Sequence, residues 1–578
     1  MSSIGRAART LASAPIAGPA SIGLLGLLAS ATSIVNGFVY DDRPIVEFNS
    51  RVHSLAKWWE AFGSAYWPPH WGNTNYRPLT ILSFAVQWTL GDGSPMVFHA
   101  VSIALYVAVC LASFSLARLV LPPLAAWIVA ALFAVHPVHV EAVANVVGQS
   151  ELIVALCAVG AVAMYVRART AIGGQALAPT SVAGIATLYA IACFAKETGF
   201  LLPGLLVVAE ITVVAAGLEP TRRAVRARAR EVRVLYAACA VVGFFYLTLR
   251  HNVLGSVGDL PSVVMSRLSQ PQLMLTMLGV VPEWARLLLW PAQLSADYSP
   301  AQLSLIVAPS PAVIPGMVIL FVVTLLAVAA WRMPRRVTVF GLLWFAITIF
   351  PVSNLLLRSG VLLAERTLFL PSVGVMLAIG PLWTWVGARI TRLRLGRPAG
   401  LELSAAVALG LILALGAAKS ASRSRVWRNN DTFFAQIVED APLSYRAHHV
   451  HGMWLFEKGR RAEGEKHVRV AMAIFPHDAG PYADLADHYR FAGLCAPARE
   501  LYERAIALGR LADRARMGLV VCLLHDGSYA DAAAHARLGV SSGGFQVEQF
   551  RRLLAIADSA VTATSRVRLS GAARPGGR

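Results

Sequence analysis

The chain has 578 residues, of which 56% are hydrophobic and only 14% are charged. Because soluble globular proteins carry about 25% charged residues, this composition excludes an ordinary cytosolic enzyme and a disordered chain, and it indicates a membrane protein with several spans. Lys and Arg outnumber Asp and Glu by 51 to 32, which gives a net charge of +19. Such an excess is typical of cytoplasmic loops, so we predict no nucleic-acid partner.

A membrane-spanning helix needs about 20 apolar residues, and we interpret eleven apolar runs of 15 to 25 residues as spans. The first run is long and is followed by Asp41 and Asp42 rather than by a cleavage site, so we interpret it as an uncleaved helix and not as a signal peptide. The predicted spans are 15–39, 95–118, 122–143, 149–167, 182–196, 198–216, 234–251, 311–331, 337–355, 367–389 and 400–418.

Arginine clusters orient the predicted spans. Arg6 and Arg9 precede the first span, and the other clusters follow the fourth, sixth, eighth and tenth spans. By the positive-inside rule, these clusters are cytoplasmic, which predicts a multi-pass protein of the plasma (inner) membrane with a cytoplasmic N-terminus and a periplasmic or extracytoplasmic C-terminal part. The apolar segment 272–290 contains Glu283 and Arg286 and would break this alternation, so we predict an interfacial or re-entrant helix there.

The six cysteines give no sign of a metal or redox centre. Four of them lie in apolar runs, where cysteine packs as a small hydrophobic residue. The other two, Cys495 and Cys522, lie in the polar C-terminal part. No CxxC pair occurs, so zinc binding and thioredoxin-like chemistry are not supported.

The C-terminal part repeats with a period of about 34 residues, which predicts tetratricopeptide repeats. Pro476 fits the end of the first unit, and small residues recur where the two helices of a repeat touch. A generic antiparallel helical bundle is the alternative. The predicted organisation is all-α, with a membrane domain at 1–420, a connector at 421–444, an α-solenoid of about three repeats at 445–560 and a disordered tail at 561–578.

Polar residues, all but Gln149 ionisable and with both signs of charge, lie at the predicted outer ends of the spans and in the two large outer loops, whereas the inner side is almost purely basic. A charge at membrane depth costs a few kcal/mol, so such residues usually pair or face a cavity. A mixed cluster from many loops favours an active site at the outer surface over snorkelling of single side chains. The residues are Asp41, Asp42, Arg43, Arg77, His136, His139, Glu141, Gln149, Glu151, Lys196, Glu197, Arg250, His251, Arg286, Asp297, Arg358, Glu365 and Arg366.

Two long loops are predicted on the outer side, at 40–94 and 252–310. Four of the tryptophans in the first loop lie close together, from Trp58 to Trp71. Tryptophan side chains anchor loops at the level of the lipid headgroups and also stack on sugar rings. Both functions stay open for these residues.

Six short segments follow one another along the chain: Tyr40-Asp41-Asp42, 75–79 (NYRPL), 136–143 (HPVHVEAV), 196–199 (KETG), 294–298 (LSADY) and 364–372 (AERTLFLPS). This series resembles the transmembrane and tetratricopeptide-repeat-containing O-mannosyltransferases of the GT-C glycosyltransferase superfamily. The resemblance covers nearly the whole chain, including the order of membrane domain and repeats.

The resemblance implies a membrane enzyme that takes a mannose-like sugar from a polyprenyl-phosphate donor on the non-cytoplasmic side. An inverting transfer to a hydroxyl acceptor, such as a protein Ser or Thr, would follow, with the protein or peptide acceptor bound by the repeats. No cofactor beyond the lipid-linked donor and no metal is required. The alternative is a non-catalytic scaffold that recruits exported proteins through its repeats. A transporter is disfavoured because the cluster of ionisable residues lies on the predicted outer side and not near the bilayer midplane.

Such a transfer needs a carboxylate that takes the acceptor's proton and cations that stabilise the departing phosphate. The family places an Asp or Glu just after the first helix, so we predict Asp42 as the base, with Asp41 raising its pKa by like charge. Capping of a juxtamembrane helix is the alternative for this pair. Arg77, Lys196 and Arg366 are predicted to bind the phosphate.

Four further residues are predicted to contact the donor: His136, His139, Glu141 and Glu365. The two histidines are one helical turn apart, but they do not form an HExxH metal motif. Hydrogen bonding to sugar or phosphate is the preferred prediction, and packing at a helix end is the alternative.

Overall fold

The computed structural model describes residues 10, 13–68, 74–171, 176–216, 221–255, 262–333, 336–356, 358–392, 400–509, 511–543 and 546–572. Regular structure in these ranges is entirely helical, which confirms the predicted all-α class. The chain forms two compact units. The membrane unit is Met1–Tyr298 with Ser304–Gln436, and the C-terminal unit is Ser299–Leu303 with Ile437–Arg578.

Nine helices in the described ranges are long and apolar enough to cross a membrane, and the bent pair Pro123–Ala134 and Pro137–Ala144 would make a tenth span. The shorter apolar helices Pro179–Ala195 and Val337–Val352 account for the remaining predicted spans. The prediction of a multi-pass membrane protein is therefore confirmed. The nine are Ala17–Val35, Pro95–Val120, Val146–Ala171, Glu197–Val214, Arg222–Leu254, Gln270–Leu289, Pro311–Trp331, Glu365–Trp385 and Leu403–Arg428.

The segment Gln270–Leu289 belongs to these nine by length and composition. Its predicted interfacial or re-entrant position stays a prediction. The other helices of the membrane unit are short or partly coincide with the spans above. They are Pro78–Gly91, Val140–Ala144, Gln149–Ala171, Leu202–Ala209, Val263–Arg267, Ile314–Trp331, Val337–Ile349, Phe369–Arg392, Gly400–Ser424 and Asn430–Asp440.

Proline begins several helices of the membrane unit. Pro78, Pro95, Pro123 and Pro179 each occupy the first helical position. Proline suits this position because its fixed φ is helical and its missing N–H would have no partner within the helix. The sequence therefore marks where these helices start.

The spans differ in how far other helices enclose them. In Val146–Ala171, 78% of the most apolar window is buried, against 11% in Pro311–Trp331. Close backbone packing occurs where Gly341 faces Gly374, because a Cβ at Gly341 would lie 2.3 Å from the Gly374 carbonyl oxygen. Small residues at such a crossing allow two membrane helices to approach closely.

The C-terminal unit is a series of helix pairs. Within each of three pairs the turn contains a glycine with positive φ, at Gly459, Gly493 and Gly527, with φ of 76°, 76° and 74°. Their even spacing follows the predicted repeat, although the tetratricopeptide assignment stays a prediction. The helices are Tyr445–Glu457, Arg461–Ile474, Ala479–Phe491, Cys495–Leu508, Ala512–His525, Tyr529–Ser541 and Val547–Ala572.

Two features of the C-terminal unit differ from the sequence analysis. A disulfide joins Cys495 to Cys522 and so links two consecutive helices, a pairing on which the sequence analysis made no prediction. The last helix continues to Ala572, into the segment 561–578 that we predicted to be disordered. Residues 573–578 lie outside the described ranges.

Candidate active site

The membrane unit contains a cavity of about 640 Å³ whose wall is built from segments far apart in the sequence. Five cationic side chains and three carboxylates line this cavity, so positive charge exceeds negative charge by two. A cavity with this balance favours an anionic ligand. The charged lining residues are Arg77, Lys196, Arg250, Arg358, Arg366, Asp41, Glu151 and Glu197.

One wall of the cavity carries a pair of arginines that share a carboxylate. The Nη2 atom of Arg77 lies 3.0 Å from Oε2 of Glu197, and Nη1 of Arg250 lies 3.3 Å from Oε1 of the same residue. Arg77 immediately precedes the helix Pro78–Gly91, and Arg250 lies in the last turns of Arg222–Leu254. Positive charge near a helix C-terminus is favoured by the helix dipole.

Lys196 and Glu197 reach the cavity because the chain leaves a helix at Lys196. Lys196 ends the helix Pro179–Ala195 in an extended conformation, and its Nζ binds Glu151 in the first turn of Gln149–Ala171. Gly199 permits the tight turn that follows, since a Cβ there would lie 2.3 Å from the carbonyl carbon of Ala192. The KETG segment thus depends on its glycine.

Arg366 connects two carboxylates. Its Nη1 atom lies 2.5 Å from Oε1 of Glu141, and its backbone N–H donates to Oε2 of Glu141 at 2.9 Å. Its Nη2 atom lies 4.0 Å from Oδ2 of Asp41. Glu141 is buried and does not line the cavity, so it orients Arg366 rather than facing a ligand.

Arg358 is a cavity residue that the sequence analysis placed on the outer side but did not assign to the site. Its Nη1 atom donates to the carbonyl oxygen of Met265 at 2.9 Å. Within the described ranges, no carboxylate lies within ion-pairing distance of Arg358. Every other cation of the cavity has such a partner, so Arg358 offers the least neutralised positive charge to a ligand. No motif marked this residue; its only signal was its place between two spans.

The two neighbouring aspartates have different surroundings. Asp41 lines the cavity, and its side chain is 13% exposed. Asp42 is fully buried, and its carboxylate accepts hydrogen bonds from the backbone N–H groups of Val39, Val146 and Val147 at 3.3, 3.2 and 2.9 Å. Burial raises the pKa of Asp42 to about 7, although the three donors oppose this shift. The geometry therefore favours Asp41, the member of the pair that we did not prefer, for contact with a substrate.

None of the four further residues predicted to contact the donor lines the cavity: Glu141, described above, and His136, His139 and Glu365. His136 contacts the carbonyl oxygen of Leu288 through Nε2 at 3.1 Å. Glu365 accepts hydrogen bonds from the Ser295 N–H and the Tyr298 hydroxyl at 2.6 and 2.7 Å.

Both ring nitrogens of His139 are engaged within the protein. Nδ1 lies 3.1 Å from the Tyr106 hydroxyl, and Nε2 lies 2.9 Å from the Ser372 hydroxyl. The ring is almost completely buried. These contacts tie helix ends together, which was the alternative considered for the histidines.

Aromatic side chains complete the cavity. Tyr66, Trp67, Phe200 and Tyr246 line it, and the buried hydroxyls of the two tyrosines have no hydrogen-bond partner among the described residues. Of the four loop tryptophans, Trp67 is the one in the lining, the first two are exposed, and the fourth lies outside the described ranges. An unpaired hydroxyl beside aromatic rings is suited to a ligand that has both polar and apolar faces.

The described residues contain one grouping of potential metal ligands, which is not in the cavity. Cys495, His525 and Asp526 form it in the C-terminal unit. Cys495 is disulfide-bonded to Cys522 and its sulfur is therefore not a thiolate ligand.

The fold and the cavity define a class: a polytopic α-helical membrane protein with a cationic cavity. Sequence comparisons specify it further. The chain is similar to protein O-mannosyl-transferase TMTC4 of Mus musculus, with 27% identity over 495 residues that cover 78% of this chain and 65% of the relative. Human TMTC4 is 28% identical over 76% of this chain and 64% of its own length, and human TMTC1 is 26% identical over 81% and 57%.

These homologues confirm the resemblance to the transmembrane and tetratricopeptide-repeat-containing O-mannosyltransferases. The matched region spans about half to two thirds of the length of these relatives, from 51% to 65% for the mouse proteins TMTC3 and TMTC4. No family model matches the chain. No solved structure matches it either.

Proposed function

We propose that this chain is an integral-membrane glycosyltransferase that transfers a mannose-like sugar from a polyprenyl-phosphate donor to a hydroxyl group of a polypeptide. The observation that carries the proposal is the cavity in which Asp41 meets the cations Arg77, Lys196, Arg358 and Arg366. A carboxylate beside an excess of positive charge is what glycosyl transfer from a phosphate requires. The names of the relatives support a transferase that acts on protein.

Asp41 is the proposed base. Its carboxylate takes the proton of the acceptor hydroxyl while the hydroxyl oxygen attacks the anomeric carbon of the sugar. The bond between that carbon and the phosphate oxygen breaks, and polyprenyl phosphate leaves with the bonding electrons. Attack on the face opposite the phosphate inverts the anomeric configuration.

Arg358 is the proposed first contact of the donor phosphate, with Arg366 and Arg77 beside it. Arg358 has no carboxylate to release when the phosphate arrives, whereas Arg77 and Arg366 are already paired with Glu197 and Glu141. An arginine offers two parallel donors to phosphate oxygens. The paired arginines add positive potential without exchanging partners.

The C-terminal unit is proposed to lie on the non-cytoplasmic side, where its helix pairs hold a polypeptide acceptor near the membrane. The disulfide between Cys495 and Cys522 supports this side, because structural disulfides persist in oxidising compartments. Holding the acceptor raises its effective concentration without adding a catalytic group.

The deciding experiment is a transfer assay with purified protein, a panel of polyprenyl-phosphate sugars and a Ser/Thr-containing peptide. We expect transfer from one donor of the panel, detected as a mass increase of one hexose on the peptide, and loss of transfer with Asp41→Asn. Absence of transfer from every donor, with the protein folded, would contradict the proposal and favour the scaffold alternative.

A separate experiment tests on which side of the membrane the C-terminal unit and the loop that contains Ala224 lie. With the native cysteines replaced, a membrane-impermeant thiol reagent should label Ser528→Cys in intact cells and should not label Ala224→Cys. Ala224 follows Arg222 and Arg223 in the loop predicted to be cytoplasmic. The reverse pattern of labelling would overturn the proposed side of both units.

A further inference from the structure

Tyr40, the residue before Asp41, has an unusual backbone conformation. Its φ is 56°, in the left-handed region that a bulky side chain rarely adopts. A conformation of this kind persists only where the surrounding structure fixes it, and such positions cluster at functional sites. The conformation of Tyr40 determines the direction in which the chain enters Asp41.

Asn430 fixes this conformation through both ends of its side-chain amide. Its Oδ1 accepts a hydrogen bond from the Tyr40 N–H at 3.1 Å, and its Nδ2 donates to the Phe38 carbonyl oxygen at 3.3 Å. The two bonds hold the peptide groups on either side of Val39, so a change in the backbone at Tyr40 would break at least one of them.

The chain around Asn430 binds the same loop at further points. The Gly37 N–H donates to the Arg428 carbonyl oxygen at 2.9 Å, and the Asn36 side chain donates to the Ser424 carbonyl oxygen at 3.1 Å. The ring of Tyr40 stacks on Phe433, with ring centroids 5.3 Å apart. The segment 424–433 is therefore a continuous support for the loop 36–40.

Asp42 anchors the chain on the C-terminal side of Asp41. Its buried carboxylate binds the backbone of Val146 and Val147, at the start of the helix that carries Glu151 into the cavity. Asp41 thus sits between two anchored neighbours, one tied to Asn430 and one tied to the enclosed span Val146–Ala171.

We propose that Asn430 is a positioning residue, which holds Tyr40 in its left-handed conformation and thereby directs the carboxylate of Asp41 into the cavity. The inference rests on the proposed function, because it assigns Asn430 to the reaction of Asp41. Asn430 does not line the cavity, and it acts only through the loop.

The test is a steady-state comparison of the wild-type protein with Asn430→Ala in the transfer assay. We expect kcat to fall about 10- to 100-fold while the KM for the donor stays within a factor of two, since misplacing a reacting group costs about this much in rate. Asn429→Ala is the matched control. Asn429 accepts from the Thr432 N–H, and none of its hydrogen bonds reaches the loop.

A second variant separates positioning from a purely structural contribution. Glycine adopts positive φ without steric cost. The double variant Tyr40→Gly/Asn430→Ala should therefore have a kcat at least threefold higher than that of Asn430→Ala. A structural contribution alone predicts that the double variant is worse than Asn430→Ala, because the ring contact with Phe433 is lost as well.

The outcomes are distinguishable. The positioning inference is overturned, and the proposed function stands, if the wild-type protein is active and Asn430→Ala has an unchanged kcat. The same conclusion follows if the double variant is slower than Asn430→Ala. An inactive wild-type protein overturns the proposed function and the inference together. Thermal unfolding in detergent, recorded for each variant, shows whether a loss of rate reflects a loss of folded protein.

Discussion

Two groups of polar residues near the outer ends of the predicted spans have different surroundings in the structure. In the first group, Asp41 and Arg358 line the cavity. In the second group, His136, His139 and Glu365 direct their polar atoms to partners within the protein. The sequence analysis predicted site residues in both groups: Asp41 in the first, and all three residues of the second.

The difference shows that polarity at a span end has two physical origins. A buried polar group must find a hydrogen-bond partner, and a backbone carbonyl or a hydroxyl of a neighbouring helix supplies one as readily as a substrate does. His139, between the hydroxyls of Tyr106 and Ser372, is an example. A cation without a carboxylate partner, such as Arg358, is the stronger indication of a ligand.

The largest expected effect belongs to Asp41→Asn. Removing a general base lowers the rate of transfer by roughly 100- to 10,000-fold, so turnover should approach the background of the assay. Folding should be preserved, because the ion pair between Asp41 and Arg366 is long, with 4.0 Å between Oδ2 and Nη2. Initial rates of sugar transfer, normalised to folded protein, provide the measurement.

Glu47→Gln is the control for this variant. Glu47 lies in the same segment, its side chain is 40% exposed, and it pairs with Arg43 outside the cavity. Its transfer rate should match the wild-type rate. Near-native turnover in Asp41→Asn would remove this residue from the reaction and return attention to Asp42.

Arg358→Ala is expected to weaken donor binding by roughly 10- to 150-fold, because a charge-assisted hydrogen bond contributes about 1.5–3 kcal/mol. The KM for the peptide acceptor should stay unchanged. The thermal midpoint should change little, since Arg358 has no carboxylate partner among the described residues and its bond to Met265 is with a carbonyl oxygen. Kinetics with varied donor concentration measure the effect.

Arg336→Ala is the matched control for the arginine. Arg336 lies over the ring of Trp331, 4.4 Å from its centroid, and is not part of the cavity. An equal loss of donor affinity in both variants would indicate a general effect of surface charge. A loss of acceptor affinity in Arg358→Ala would place the acceptor, not the phosphate, at this arginine.

Much of the fold could be predicted because it follows from periodic properties. Apolar runs of sufficient length identified the spans, and a recurring helix-pair pattern identified the C-terminal unit, where Gly459, Gly493 and Gly527 have positive φ. The pairing of Cys495 with Cys522 could not be predicted, because it depends on the packing of two consecutive helices. The extent to which other helices bury each span also depends on helix packing, so it could not be predicted from the apolar runs.

The site was predicted in part. Arg77, Lys196 and Arg366 could be found because a charge at the end of a span needs a partner or a cavity. The choice between Asp41 and Asp42 could not be made from sequence, because it depends on backbone N–H groups more than 100 residues away, at Val146 and Val147. Arg358 was placed in the outer cluster but given no individual role, because the geometry that leaves it without a carboxylate has no sequence signal.

Asp42, next to the proposed base, has its carboxylate hydrogen-bonded within the protein, like the residues of the second group, and Asp42→Asn tests the effect of losing that carboxylate. Because burial raises the pKa of Asp42 to about 7, the folded protein binds a proton at a higher pH than the unfolded chain does. The contribution of Asp42 to stability is then greatest below about pH 4 and decreases as the pH rises through about 7. Thermal midpoints in detergent should show this decrease in the wild-type protein and not in Asp42→Asn.

The same variant should also lose part of its transfer activity, because an amide cannot accept at both positions that the carboxylate uses for Val39, Val146 and Val147. The loss should be smaller than that in Asp41→Asn. Identical pH dependence of stability in the wild-type protein and Asp42→Asn would contradict the assignment of the titrating group.

The smallest expected effect on activity belongs to His139→Leu. This variant removes hydrogen bonds to Tyr106 and Ser372, so the folded state should lose about 1–3 kcal/mol of stability. The partners are not stranded, because in the variant the Tyr106 hydroxyl can donate to the Ala134 carbonyl oxygen and the Ser372 hydroxyl to that of Phe369. Transfer per folded molecule should therefore equal the wild-type value.

Lys196→Gln is the variant to compare with His139→Leu, because Lys196 lines the cavity and His139 does not. Lys196 lines the cavity and binds Glu151, so its loss should lower the transfer rate per folded molecule even where the protein remains stable. A reduced rate in His139→Leu with an unchanged thermal midpoint would show that the histidine contacts the substrate. In that case hydrogen-bond partners within the protein would not distinguish the two groups of polar residues. A histidine with both ring nitrogens hydrogen-bonded inside the protein would also take part in the reaction.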